Sequence, residues 1–391
     1  MSQENSKNAE KINDFIRDNP HCKIPKTQTV TLNGQNQDLE TYRLPIELTV
    51  YNIKNGRFAA EYIDLVKKYG EMNPWDKNDS KKIQELLIEI DPKQSSILQK
   101  DLLVKGQTDP GIITFDGQVI NGNRRRSALE ELISSGNSQF RFIEVSRLPP
   151  NVSTQDLWKI EAGIQLSRKV QLDYGPINEL LKFQQGIESG LSPLEIAKSL
   201  YGGFKESEIL EKLEILKLIT EYLRFIGEPG VFNRAKGVHE QFIDLRRILE
   251  TYRKQSPNPE EIVKVKHIAF QLFHDGITQR ETRKLKNILD NAKTRQELFS
   301  AEQYSKPETA KVKRERRINA EMNDEFTPAR TVFNNCLDSE KAISESQQPE
   351  RLLKRALTNL ENIDVDHTSL DKPEIQSLIS ELESALKRLK S

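Results

Sequence analysis

The stretch that most constrains the fold is Asp109-Pro110-Gly111-Ile112-Ile113-Thr114-Phe115-Asp116-Gly117-Gln118-Val119-Ile120-Asn121-Gly122-Asn123-Arg124-Arg125-Arg126. Two short β-branched runs flank Asp116-Gly117, a dipeptide suited to the positive φ angles of a type I′ hairpin, so the spacing predicts strand, turn, strand. Asn121-Gly122-Asn123 then turns the chain into a helix. Asn123 is the expected N-cap, Leu129, Leu132 and Ile133 form an apolar face, and Gly136 is the stop signal. Such a helix start offers free backbone N–H groups beside three guanidinium groups, and both attract an anion with several oxygens, above all a phosphate. The plainer alternative is a tight turn followed by a solvated first helical turn. In that case the cations would merely oppose the helix dipole, at a small cost.

The residues Ile120-Asn121-Gly122-Asn123-Arg124-Arg125, followed by Ser127-Ala128-Leu129-Glu130-Glu131-Leu132, resemble the ParB/sulfiredoxin superfamily. Its members carry a hydrophobic strand and then a Gly-x-Arg-Arg loop that holds nucleotide phosphates at a helix start. Upstream, Ile53-Lys54-Asn55-Gly56-Arg57-Phe58 sits where the family has its first basic box, and Arg57 is the residue retained. The resemblance spans residues 44–219. It implies an α+β fold class: a ParB/sulfiredoxin-like N-terminal domain, then a largely α-helical domain and a helical C-terminal tail. It also implies a nucleotide or phosphorylated ligand held by Arg57, Asn121, Gly122, Asn123, Arg124, Arg125 and Arg126, with a nucleoside triphosphate (CTP or ATP) and Mg²⁺ as the cofactor.

Family members complete the pocket with a Glu-Asn pair followed by Gln-Arg. Here Ile160-Glu161-Ala162-Gly163-Ile164-Gln165-Leu166-Ser167-Arg168 supplies Glu161 and Gln165 as catalytic candidates and Arg168 as a further phosphate ligand, but lacks the Asn. Metal-assisted hydrolysis needs a hard oxygen ligand at the phosphates, so binding is expected and hydrolysis stays open. The sulfiredoxin branch needs a cysteine where Asn123 stands, and neither Cys22 nor Cys336 is close in sequence.

At 391 residues the chain has room for two or three domains, and 30% charged residues with a mean hydropathy of −0.66 indicate helices with long polar surfaces. A formal net charge of zero leaves nucleic-acid binding to local charge. No run approaches the ~20 apolar residues of a membrane helix, and no secretory signal opens the sequence, so a cytoplasmic protein without a membrane partner is expected. Two cysteines build no disulfide framework, and His21, His239, His267, His274 and His367 lack metal-ligand spacing, so no metal site is expected.

In chain order, residues 1–26 are expected to be flexible, with at most a short helix over 9–17. Residues 27–150 form the α+β domain, opening with a hairpin around Asn33-Gly34 with a slightly long loop and a further strand over 44–52. Helices are predicted over 58–69, 81–90 and 94–105, stopped by Gly70 and Gly106, and a buried strand over 140–145. Residues 151–228 read as a helical domain with a helix-turn-helix-like unit. In it Ser192 caps, Pro193 opens, Leu194, Ala197 and Leu200 point inward, and residues 205–218 form the second helix. The candidate DNA contacts there are Lys205, Ser207 and Lys212, although residues 205–215 hold two basic against four acidic side chains. The alternative is a hairpin that only packs.

Residues 229–300 read as a helical extension, with Phe242, Leu245, Ile248 and Leu249 on one face of a helix over 238–253, another helix over 260–274, and one long basic helix over 280–298. In 301–391, Lys311, Lys313, Arg314, Arg316 and Arg317 form a basic cluster that suits a DNA backbone or else a solvated linker helix. Residues 321–330 read as loop. Helices over 351–363 and 373–389 carry an apolar stripe that homodimerisation, or packing back on the chain, would bury. The resulting expectation is a ParB-like DNA-associated protein switched by a nucleotide. Two rivals remain: a nucleotide-dependent enzyme (a CTPase/ATPase, nuclease or small-molecule phosphotransferase), or a catalytically inactive adaptor.

Overall fold

The computed structural model describes residues 3–166, 175–200, 203–256, 258–304, 327–345, 349–363 and 368–390. A six-stranded mixed sheet organises the N-terminal part. Its strands are β1 (Lys23–Leu32), β2 (Gln35–Pro45), β3 (Val50–Tyr51), β4 (Gly111–Ile113), β5 (Gln118–Asn121) and β6 (Phe142–Arg147), in the order β1-β2-β6-β4-β5-β3. β4 runs parallel to β6 and β3 parallel to β5, while the remaining neighbours are antiparallel. Alternation along the strands sends Ile113, Val119, Ile143 and Val145 to one face and Ile112, Ile120, Val30 and Leu39 to the other. The first face is covered by α5 (Asn123–Ser134) and by Ile12 of α1 (Gln3–Asp18), the second by Ile160 of α6 (Thr154–Leu166).

The hairpin grammar is realised in the opposite place from the one expected. Asn33 and Gly34 both take positive φ (51° and 77°) and join β1 to β2 in two residues, the geometry of a type I′ turn. At Asp116-Gly117 only Gly117 does so (φ 95°), with its N–H donating to Thr114 O at 3.0 Å, and the β4–β5 register slips between Ile112 and Ile113. A Cβ on Gly117 would lie 2.5 Å from Leu48 O, so this turn is shaped by what packs on it. Part of that packing is α1, a longer and better anchored helix than the fraying segment expected: Asn8 donates to Leu48 O (2.9 Å) and Asp116 O (2.8 Å). The strand expected over 44–52 is interrupted by a 3₁₀ turn at Ile46–Leu48.

Between β3 and β4 lie α2 (Ala59–Tyr69), α3 (Lys77–Glu89) and α4 (Pro92–Lys105), ended by Gly70 and Gly106 as the sequence signals. Beyond α6 the described residues form helices: α7 (Pro176–Glu188), α8 (Pro193–Ser199), α9 (Glu206–Phe225), α10 (His239–Gln255), α11 (Pro259–His274), α12 (Gln279–Asp290) and α13 (Ala292–Phe299). All of these but α8 share one core with Ala59 and Ala60 of α2, centred on Tyr222, Phe242, Phe270 and Phe273, whose rings meet edge-on, while α8 packs in a second cluster with Trp158, Phe183 and Ile209. The long helix expected over 280–298 is broken at Asn291, whose side chain caps α13 by accepting from Lys293 N and Thr294 N. Among the described residues three further helices follow, α14 (Pro328–Glu345), α15 (Pro349–Glu361) and α16 (Pro373–Lys390). α14 was not signalled by the sequence and is held in the core by Phe333 and Cys336. α15 and α16 leave Leu353, Leu357, Leu378, Leu382 and Leu386 exposed. Among the described residues no helix is long and apolar enough to cross a membrane.

Candidate phosphate-binding site

Because β3 and β5 are parallel, their carboxyl ends emerge side by side, the place where open mixed and parallel sheets hold ligands. Each strand runs through a glycine turn into a helix. After β3 comes Asn55-Gly56-Arg57, where Asn55 Oδ1 accepts from Arg57 N (3.0 Å), then α2; after β5 comes Gly122, then α5. Gly122 takes φ 115° and is itself the N-cap, so no side chain among the described residues caps the first N–H groups of α5. Asn123, the expected cap, is instead the first helical residue and buried. Its Oδ1 accepts from Asn52 N (3.1 Å) and its Nδ2 donates to Val119 O (3.0 Å), which stitches the two strand ends together. Asn121 closes β5 opposite Ile112.

The arginines diverge. Arg126, expected on the ligand, turns inward. Its guanidinium lies 4.0 Å over the Tyr51 ring, pairs with Glu130 at 2.8 Å and donates to Thr49 Oγ1 at 3.1 Å, so it holds α5 to the sheet. Arg124 and Arg125 are half-buried beside the helix start. Burial lowers the pKa of the Arg124 guanidinium, and Asp91 pulls it back up. Arg125 is lowered by burial more than Asp109 and Glu144 raise it, and its buried Nη1 has no hydrogen-bond partner among the described residues. A Cβ on Gly122 would come within 3.9 Å of that atom, which places it at the helix start.

Glu161 reaches this site from α6 and is fully engaged. Oε1 accepts from Gly56 N at 2.9 Å, and Oε2 pairs with Lys182 of α7 at 2.8 Å, the two side chains being 5% and 2% exposed. Asn178, also on α7, accepts from Ala60 N (2.9 Å) and donates to Arg57 O (3.0 Å), capping α2 from outside. Lys182 and Asn178 are the residues sequence reasoning missed. Their signal was a lysine and an asparagine on the apolar face of α7, beside Leu181 and Phe183 and beside Ile177. Gln165 lies on α6 with its side chain outside the described residues, as does the whole of Arg168.

The expected DNA contacts scatter. Lys205 and Ser207 are exposed at the start of α9, with Lys205 N donating to Glu208 at 2.6 Å. Lys212, expected on phosphates, instead pairs with Glu179 at 2.8 Å and lies 5.6 Å and 6.0 Å from the Phe204 and Phe183 rings, turned into the hairpin. Leu194, expected inward, is 43% exposed, and Ile196 fills the core in its place. Lys311, Lys313, Arg314, Arg316 and Arg317 lie outside the described residues. Among the described residues no group of three or more His, Cys, Asp or Glu side chains is arranged to hold a metal. A cleft of about 590 Å³ between the β1–β2 hairpin and α6 and α8, lined by Thr29, Asn36, Asp156, Lys159 and Lys198, contains none of the strand-end residues. Comparison with protein-family models and with curated proteins returns no match for this chain.

Proposed function

We propose that this chain is a ParB-like, DNA-associated cytoplasmic protein that binds a nucleotide or other phosphorylated ligand where β3 and β5 end. The observation that carries the reading is the start of α5, uncapped among the described residues, beside a buried Arg125 nitrogen that has no partner among them. Backbone donors and a guanidinium there lack the acceptors that a phosphate would bring. The residues fit a nucleoside triphosphate such as CTP or ATP, with Mg²⁺ arriving on the phosphates. Arg124, Arg125 and the first α5 amides would hold the anion, with Arg57 presented by the neighbouring turn. Engagement of both Glu161 oxygens supports binding over hydrolysis, because a carboxylate already shared between Gly56 N and Lys182 is not free to ligate Mg²⁺. The exposed apolar faces of α15 and α16 support self-association, which a ligand at the turns would modulate through α6 and α7. The test is Arg124→Ala: wild-type protein with Mg²⁺ and CTP or ATP at a hundredfold excess over Kd gains about 2.7 kcal/mol of stability, and the variant gains none. Unchanged nucleotide affinity of the variant by calorimetry would remove the assignment.

A further inference from the structure

α11 and α12 form a second helix-turn-helix whose outer face is built of a different chemistry from that of α9. α11 ends at His274, and Gly276 (φ 79°) reverses the chain. Gly276 N donates to Phe273 O and Ile277 N to Leu272 O, both at 3.1 Å, with Ile277 buried as the anchor. Thr278 then opens α12 in a reciprocal cap, its N–H donating to Glu281 (2.7 Å) while Glu281 N donates to Thr278 Oγ1 (3.2 Å). Thr282, Leu285, Ile288 and Leu289 face the core. At 100° per residue the opposite side carries Arg280, Arg283 and Asn287, flanked by Lys284 and Lys286, and all five are exposed.

Of the two acids of α12, one is turned to a cation of another helix and the other offsets part of this charge. Glu281 is engaged by its own cap and by Arg330 at 3.0 Å, and Asp290 accepts from Gln255 at 3.0 Å. Arg283 rests on the buried Asp244 at 2.9 Å. Arg247 of α10 approaches the same carboxylate at 3.7 Å, so the two arginines share one negative charge and leave a net positive charge where α12 meets its neighbouring helix.

We infer that α12 is the helix this protein lays in the major groove of duplex DNA, an inference that rests on the DNA-associated reading above and gives it a surface. Lysines and arginines spread along one side of a helix neutralise phosphates. Arginine and asparagine are the side chains whose donor and acceptor pattern matches guanine and adenine edges. A capped helix following a glycine turn presents its first turns outward, where Arg280, Arg283 and Lys284 stand.

The experiment is a fluorescence-anisotropy titration of the full chain with a labelled mixed-sequence DNA duplex of about 30 base pairs, between about 50 and about 200 mM salt, with and without CTP or ATP. The combined variant Arg280→Ala, Lys284→Ala, Lys286→Ala removes only exposed side chains. It is expected to keep its thermal transition, to lose about tenfold or more in affinity, and to flatten the slope of log K against log salt by about three. The control pair Lys205→Ala, Ser207→Ala is expected to bind within about twofold of wild type. If wild type binds DNA and the folded α12 variant binds equally well, the α12 assignment falls while the DNA-associated reading stands. If wild type has no affinity for the duplex under any of these conditions, that reading falls too. Tighter binding to duplex RNA than to DNA would overturn the groove assignment.

Discussion

The α8–α9 and α11–α12 hairpins are made by the same rules and face the solvent with opposite charge. Ser192 and Thr278 each open a helix in a reciprocal box with a glutamate three residues on. Inward, Ile196, Ala197 and Ile209 do for the first pair what Phe273, Ile277 and Leu285 do for the second. Outward, the first half of α9 shows Glu206, Glu208, Glu211 and Glu214, and α12 shows Arg280, Arg283, Lys284 and Lys286. A helix-turn-helix is first a way of burying two apolar faces with a short connection, and the side chains that make it are not the ones that choose its partner.

If the hairpins are equivalent as packing units, the largest matched effect comes from the fully buried phenylalanine that each packs against, Phe183 of α7 for the first and Phe242 of α10 for the second. Phe183→Ala and Phe242→Ala should each lower unfolding free energy by about 3–5 kcal/mol in urea titrations, and a much smaller value for Phe183 would break the equivalence. Next come the caps. Ser192→Ala and Thr278→Ala should each cost about 1 kcal/mol by the same measurement, and a clear inequality would show that one helix is held mainly by tertiary contacts. The smallest effect sharpens the contrast in charge. Lys212→Ala should cost about 0.5 kcal/mol through its ion pair with Glu179 and leave anisotropy-measured DNA affinity unchanged, whereas loss of DNA binding would return the interface to α9.

Periodicity and punctuation made most helices legible: the stops at Gly70, Gly106 and Gly136, the start at Ser192-Pro193, and the apolar face of α10 are local chemistry. What misled was local preference overridden from a distance. Asp116-Gly117 reads as a two-residue turn until Leu48 and Asn8 crowd it, and Asn123 reads as a cap until burial gives its amide two backbone partners. The glycine and arginines of the strand-end site were visible as a motif. The divergence of Arg126 toward Tyr51 and Glu130 was not, because it depends on where β3 lies. Glu161 was singled out for chemistry. Its partner Lys182 is remote in sequence, on another helix, so only an ammonium on an otherwise apolar face could have hinted at the pair. The basic character of 280–298 was legible, but the break at Asn291 that makes α12 a short, separately capped helix was not.

The carboxylate of Glu161 has a consequence for how the molecule can be divided. Cutting the chain near residue 150 would take from the Gly56 amide the carboxylate that accepts from it. Cutting it between α6 and α7 would leave a buried anion without its cation, a loss of about 3–5 kcal/mol. The sheet and the helices are therefore sewn together at the turn that presents Arg57, by Glu161 on one side and Asn178 on the other, and any tug on that turn is transmitted to the foot of α7.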